Sequence, residues 1–133
     1  MGLAAAQSMV RLSRAAFEKL VGQAVESLPP RFLERLQNVD VVVESEPTEE
    51  ELRQAGVGPG GSLLGLYQGI PQTRRGTWYG SVLPDRIVIY QRPIESVAGS
   101  LLEIRRQVRI TLMHEVGHHF GLREQDLSDA GYE

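Results

Sequence analysis

The feature that most constrains the fold of this chain is a long amphipathic pattern near its C-terminus. Apolar residues recur there at steps of three or four, which is the spacing of one helix face. The members of this face are Leu101, Ile104, Val108, Leu112, Val116 and Phe120. Ser100 followed by Glu103 is typical of a capping box, and Gly121 stands where a left-handed residue ends a helix. The pattern predicts one long helix between Ser100 and Gly121.

Shorter patterns before this helix predict a mixture of helices and strands. Helical spacing, proline stops and an N-cap residue predict helices over Ser13 to Ser27, Arg31 to Leu36 and Glu49 to Ala55. Runs rich in β-branched residues predict strands over Val39 to Glu44 and Arg86 to Gln91. Leu63 to Gln68 is predicted as another strand, and Thr77 to Val82 as a weaker extended segment. Gly56 to Gly61 is predicted as a turn and Pro71 to Gly76 as a loop. The predicted fold class is α+β.

Length and composition limit the possible architectures. The chain has 133 residues, enough for one domain with a single core rather than two. We therefore expect one domain over residues 1–133, with residues 1–12 forming a loosely packed N-terminal extension. No apolar stretch approaches the length of a membrane span, and the first residues lack the positive charge of a signal peptide. We expect a soluble, cytoplasmic protein with no membrane partner.

Charge and cysteine content argue against a nucleic-acid-binding surface and against disulfides or thiolate metal sites. The net charge is −3, whereas a nucleic-acid-binding surface requires a clustered basic excess. The chain contains no cysteine, which excludes disulfides and thiolate ligands. Any bound metal must therefore be held by imidazole and carboxylate groups.

The predicted C-terminal helix carries the pattern HExxH, with His114, Glu115 and His118 as its fixed positions. One helical turn separates the two histidines, so their β-carbons lie roughly 6 Å apart and both rings can bind one metal ion. Glu115 is rotated about a quarter-turn from His114, where it reaches a water on the metal rather than the metal itself. The spacing indicates a zinc site for amide hydrolysis, with Glu115 as the general base.

A zinc site of this type needs a third protein ligand. Gly121 allows a sharp turn after the helix, so the following residues can return toward the metal. Glu124 occupies the position of the third histidine in the extended pattern HExxHxxGxxH, and Asp126 is the competing candidate. His119 is expected to face away from the metal pair and to pack or support rather than to bind the ion.

Two other interpretations compete with a hydrolase. The same scaffold could bind a metal or a partner without useful turnover, and the histidines could instead belong to the core. HExxH alone has only three fixed positions and arises often by chance. However, all the histidines of this chain lie within residues 114–119, which favours a metal site.

Further runs of the sequence accompany the histidine motif. They are Leu63 to Tyr67, Pro84 to Ile87, Tyr90, Pro93-Ile94 and the stretch from His114 to Gly121. Together they resemble the bacterial zincin-like metallopeptidase family, the minimal metalloprotease-like domains. The resemblance extends over roughly residues 13–132. It implies a minimal zincin-like fold, in which a small twisted sheet packs on the C-terminal active-site helix beside an N-terminal helix.

The resemblance also implies a set of functional residues. His114 and His118 match the metal ligands of the family, and Glu115 matches its catalytic glutamate. Glu124 falls where the family commonly carries aspartate, so the carboxylate is retained but is one methylene longer. The implied cofactor is zinc and the implied substrate is a peptide or protein. Such a substrate would pair with a sheet edge, for example the predicted strand from Leu63 to Gln68.

Overall fold

The computed structural model describes residues 10–69 and 84–121. In this part of the chain the helices are α1 (Arg14–Glu26), α2 (Pro30–Arg35), α3 (Glu49–Gln54), α4 (Gln91–Ser96) and α5 (Leu101–Phe120). The strands are β1 (Val39–Glu44), β2 (Gly65–Gln68) and β3 (Asp85–Tyr90). The α+β class predicted from the sequence is confirmed. The predicted loop from Pro71 to Gly76 and the predicted extended segment from Thr77 to Val82 lie outside the described residues.

Helix α5 begins and ends where the sequence pattern predicts. The Ser100 side chain accepts a hydrogen bond from the Glu103 N–H at 3.1 Å, which starts the helix. Gly121 ends it with a φ of 67°, a left-handed conformation that glycine adopts without steric cost. One face of α5 is fully buried and supplies much of the core. The buried apolar residues of this face are Ile104, Val108, Leu112, Met113 and Val116.

The three strands form one sheet in the order β1-β3-β2. Strand β1 runs parallel to β3, and β2 runs antiparallel to it. The central strand β3 is buried from Ile87 to Tyr90. This burial explains its unbroken apolar run. A strand that is covered on both faces needs no polar residues at alternate positions, because neither face contacts solvent. Among the strands of residues 10–69 and 84–121, β2 lies at an edge of the sheet, and it packs against α5.

The remaining predicted helices are also present. The Ser13 side chain caps α1, whose buried Phe17, Val21 and Ala24 pack toward α5. A proline starts α2, where the missing N–H has no intrahelical partner to lose. Thr48 and Glu51 form a complete capping box at α3. No helix in the described ranges is long and apolar enough to cross a membrane.

Helix α4 is an element that the sequence patterns did not predict. Gln91, assigned from the sequence to the end of a strand, is instead the first residue of this helix. Pro93 lies in the first turn, where its missing N–H is tolerated. Ile94 is fully buried, but Gln91 and Glu95 are buried polar residues. Because polar and apolar residues are buried together, this six-residue helix has no amphipathic signature to recognise.

Glu95 anchors the chain that enters α1. Its carboxylate is fully buried and accepts hydrogen bonds from the Leu12 N–H at 2.9 Å, Gln91 Nε2 at 3.0 Å and Arg92 at 2.6 Å. Gln91 also donates to the Leu12 carbonyl at 2.9 Å, so both backbone groups of Leu12 are held. Burial raises the pKa of the Glu95 carboxyl, but hydrogen bonds from these donors outweigh burial and hold the pKa below its usual value.

Strand β2 crosses α5 at very close range, and Gly65 makes this possible. A Cβ at position 65 would lie 2.5 Å from Thr111 Cγ2 and 3.1 Å from the Val88 carbonyl oxygen. The Thr111 hydroxyl donates to the Gln107 carbonyl at 2.7 Å, which fixes the rotamer that blocks this space. Any larger residue at position 65 must therefore push the strand away from the helix.

A residue on the opposite face of β2 ties this strand to its neighbours. The Gln68 side chain accepts a hydrogen bond from Arg86 Nε at 2.7 Å and lies 3.5 Å from Glu51 Oε2. Glu51 also accepts a hydrogen bond from the buried Tyr90 hydroxyl at 2.8 Å. Burial and this contact raise the pKa of the Tyr90 phenol above its usual value, so it stays protonated.

We predict that Gly65→Ala destabilises the protein by about 1–3 kcal/mol, because the added methyl overpacks the contact between β2 and α5. The matched control is Gly22→Ala in the middle of α1, where an added Cβ meets nothing within 4 Å. That substitution should stabilise the protein by roughly 0.5–1 kcal/mol through helix propensity. Urea unfolding of both variants tests the prediction. Equal stability of Gly65→Ala and wild type would contradict the close crossing.

We predict that Glu95→Gln lowers the free energy of unfolding at pH 7 by about 1.5–3 kcal/mol, because a charged acceptor of three hydrogen bonds is lost. Because the pKa of Glu95 is lower in the folded than in the unfolded protein, the ionised carboxylate stabilises the fold at pH values above the unfolded-state pKa. This stabilisation is lost as the pH falls through the folded-state pKa. The difference between wild type and variant should therefore shrink under acid conditions. Denaturant unfolding between pH 7 and pH 3 measures it, with the exposed Glu34→Gln as the control. A difference that does not change with pH would contradict the account.

Candidate active site

The two histidines of the HExxH pattern lie side by side on α5. The centroids of the His114 and His118 rings are 4.3 Å apart, and the ring planes meet at 65°. His114 is half-buried and His118 is exposed, so the pair lies where the helix leaves the core. At this separation a nitrogen from each ring can lie at about 2.0–2.1 Å from one shared ion. The two rings are therefore close enough to bind one ion together.

The third predicted ligand lies beyond the described residues. Both Glu124 and Asp126 fall in the part of the chain after Gly121, of which nothing further is described. Within residues 10–69 and 84–121, no cluster of three histidine, aspartate or glutamate side chains has the geometry of a metal site. The choice between Glu124 and Asp126 therefore stays a prediction from the sequence.

Glu115 is half-buried beside the histidine pair, and an edge strand holds one of its oxygens. Its Oε1 accepts a hydrogen bond from the Tyr67 backbone N–H at 2.9 Å, across 48 positions of sequence. Burial raises the pKa of the Glu115 carboxyl above its usual value, although the Tyr67 N–H and the charges of His114 and His118 act in the opposite direction. A carboxylate with a raised pKa is a stronger base than one in water.

Strand β2 lies along a single stripe of α5. The stripe consists of Thr111, Glu115 and His119, which are spaced by one helical turn. Gly65 approaches the first of these residues, and Tyr67 contacts the other two. His114 and His118 form the neighbouring stripe, so the strand passes beside the histidine pair.

The backbone N–H and C=O groups of successive β2 residues point alternately toward β3 and toward the outer edge. The outer edge is the side of β2 that faces away from β3. The Tyr90 N–H donates to the Leu64 carbonyl at 3.0 Å, and Leu66 pairs with Val88. Since alternate residues of an antiparallel strand face the partner, the N–H and C=O groups of Gly65 and Tyr67 point away from β3. The hydrogen bond from Tyr67 to Glu115 lies on that outer edge.

The side chain of Tyr67 contacts His119, Asp85 and, edge to face at 6.2 Å between centroids, Phe120. It stacks on the His119 ring with centroids 3.8 Å apart and planes within 10°. Its hydroxyl donates to Asp85 Oδ2 at 2.8 Å, and His119 Nε2 lies 3.9 Å from the same oxygen. The sequence pattern suggested only that His119 packs away from the metal pair. In the structure its side chain is 41% exposed, and it packs on the strand one turn beyond Glu115.

Tyr67 and Asp85 are residues near the site to which sequence reasoning assigned no role. Tyr67 belongs to a short strand and Asp85 begins another, and neither position carries a local signal of contact with α5. The one available hint is Gly65, because glycine inside a strand often marks the close approach of another element.

A groove opens between the start of β2 and α5, next to His114 and Glu115. Its volume is about 310 Å³, at the lower end of the range for small-molecule sites. Leu63, Leu64 and Ile110 form its apolar walls. The groove therefore places an apolar surface directly beside His114 and Glu115.

Comparison with known proteins agrees with this geometry. The chain matches the sequence model of the zincin-like metallopeptidase family over residues 36–132. It is also similar to the solved structure of a conserved hypothetical protein from Thermus thermophilus, with 28% sequence identity and a TM-score of 0.52. That match covers 91% of this chain and 100% of the other. A search of curated proteins finds no match. The family match spans most of the chain and includes all of α5, and the protein therefore belongs to the zincin-like metallopeptidase family.

Proposed function

We propose that this protein is a zinc-dependent metallopeptidase, in which His114 and His118 bind the metal and Glu115 is the general base. The observation that carries the proposal is the position of the Glu115 carboxylate. It lies on the stripe next to the histidine pair, and the outer edge of β2 holds it through the Tyr67 N–H at 2.9 Å. A helix whose histidines had only a packing role would give no reason for this arrangement. Glu124 is the third ligand in this proposal, with Asp126 as the alternative.

The donor chemistry supports zinc as the cofactor. Imidazole and carboxylate groups are the ligands left to a chain without cysteine. Zinc bound there would polarise a scissile carbonyl and lower the pKa of a water to about 7. The role of Glu115 would be to accept a proton from the attacking water and to pass it to the leaving amine.

The sheet edge and the groove support a peptide as the substrate. The N–H and C=O groups of Gly65 point to the outer edge of β2, where an extended peptide can add as a further strand. The groove beside His114 and Glu115 is lined by Leu63, Leu64 and Ile110, so it suits an apolar side chain next to the scissile bond. Backbone pairing provides affinity and the groove provides selectivity.

We predict that Glu115→Gln lowers the rate of peptide cleavage by about 10²–10⁴-fold, because the substitution removes the general base. Glutamine keeps an oxygen that can accept the Tyr67 N–H, so fold and zinc content should be unchanged. The matched control is Glu26→Gln at the exposed end of α1, which should cleave like wild type. Cleavage is measured on a peptide library after loading each protein with zinc.

The same comparison separates the rival interpretations. Equal cleavage by Glu115→Gln and wild type would remove Glu115 as the base. Zinc binding by both proteins without cleavage of any peptide would favour a metal- or partner-binding module on the zincin scaffold. A wild-type protein that binds no zinc would point instead to histidines with a purely structural role.

A further inference from the structure

We infer that Tyr67 is a positioning residue for Glu115: its side chain, held between His119 and Asp85, fixes the backbone N–H that holds the carboxylate. This inference rests on the proposed function, because Glu115 is the group whose placement matters for cleavage. It adds a role for residues that lie outside the HExxH pattern.

The Tyr67 N–H points to the outer edge of β2 and not into the ladder with β3. The neighbouring Leu66 is the residue that faces β3, in the pair with Val88. Strand β2 is only four residues long, so the ladder alone gives limited control over groups on its far side. The contacts of the Tyr67 side chain therefore contribute to the position of this N–H.

The side chain of Tyr67 is attached to two different elements. The stack on His119 joins it to α5 with a centroid distance of 3.8 Å. The hydrogen bond from its hydroxyl to Asp85, at 2.8 Å, joins it to the first residue of β3. Two attachments in different directions fix both the position and the tilt of the ring, and through them the backbone at residue 67.

The consequence for Glu115 is a loss of rotational freedom. Its Oε1 is held by the Tyr67 N–H at 2.9 Å, so the carboxylate is restrained to one orientation beside the histidine pair. Placement of this kind has a large effect on rate, since a shift of about 1 Å in a catalytic group can cost about 10²-fold. Loosening Tyr67 should therefore lower kcat more than it raises KM.

The test uses the full chain and three variants. Tyr67→Phe keeps the stack and removes the hydroxyl contact, and Tyr67→Ala removes both contacts. His119→Ala removes the stack from the exposed side of the site, where the fold is least affected. Amide hydrogen exchange at residues 66 and 67 is measured in the metal-free proteins, and kcat and KM are measured in the zinc-loaded proteins.

We expect the residue 67 amide of wild type to be protected. In Tyr67→Ala and His119→Ala its exchange should accelerate by roughly ten- to a hundred-fold, the range expected for a lost hydrogen bond to a charged group. The residue 66 amide should change little, because it faces β3. In the same two variants kcat should fall by about ten- to a hundred-fold with KM nearly unchanged. Tyr67→Phe should lie between them and wild type.

An unprotected residue 67 amide in wild type would overturn the inference. So would a parallel rise in exchange at residues 66 and 67, because that indicates a general loss of stability. Unchanged kcat in both Tyr67→Ala and His119→Ala would also overturn it. If wild type cleaves no peptide while the exchange pattern is as expected, Tyr67 still holds Glu115 and the proposed peptidase function fails instead.

Discussion

The close contact between strand β2 and helix α5 determines the geometry of the described part of the candidate site. Gly65 lets the strand approach Thr111, and two residues later the strand N–H reaches the Glu115 carboxylate at 2.9 Å. Because α5 presents Thr111, Glu115 and His119 as one stripe, the strand covers that stripe along its length. The histidine pair lies on the adjacent stripe of the helix. A strand farther from the helix would separate the carboxylate from its anchor.

The same helix carries both core residues and the residues of the proposed site. Its buried face, from Ile104 to Val116, packs in the core, and its last turns carry the polar residues of the site. The C-terminal end of a helix has a partial negative charge from its unpaired carbonyl groups, which favours a nearby cation. Buried polar groups elsewhere are satisfied in pairs, for example Tyr90 with Glu51 and Glu95 with the backbone of Leu12. The apolar core and the buried polar pairs thus hold the fold in which the polar residues of α5 are placed.

Elements with strong local signals could be predicted from the sequence, whereas contacts between distant elements could not. The limits of α5 follow from Ser100 and Gly121, and β1 follows from its run of valines. The one-turn spacing of His114 and His118 follows from helix geometry alone. In contrast, α4 buries polar and apolar residues together, which leaves no periodic pattern. The contact of Tyr67 with Glu115 joins residues 48 positions apart, and no local rule specifies such a pairing. The choice between Glu124 and Asp126 depends on the path of the chain after Gly121.

The most direct test of this account is the zinc content of wild type, His118→Ala and His119→Ala after reconstitution at neutral pH. The account predicts about one zinc ion per chain in wild type and in His119→Ala, and almost none in His118→Ala. The reason is that His118 is a proposed zinc ligand and His119 is not. The two variants remove the same chemical group from adjacent positions, so a general effect on folding would appear in both. Equal zinc content in all three proteins, or none in wild type, would contradict the account.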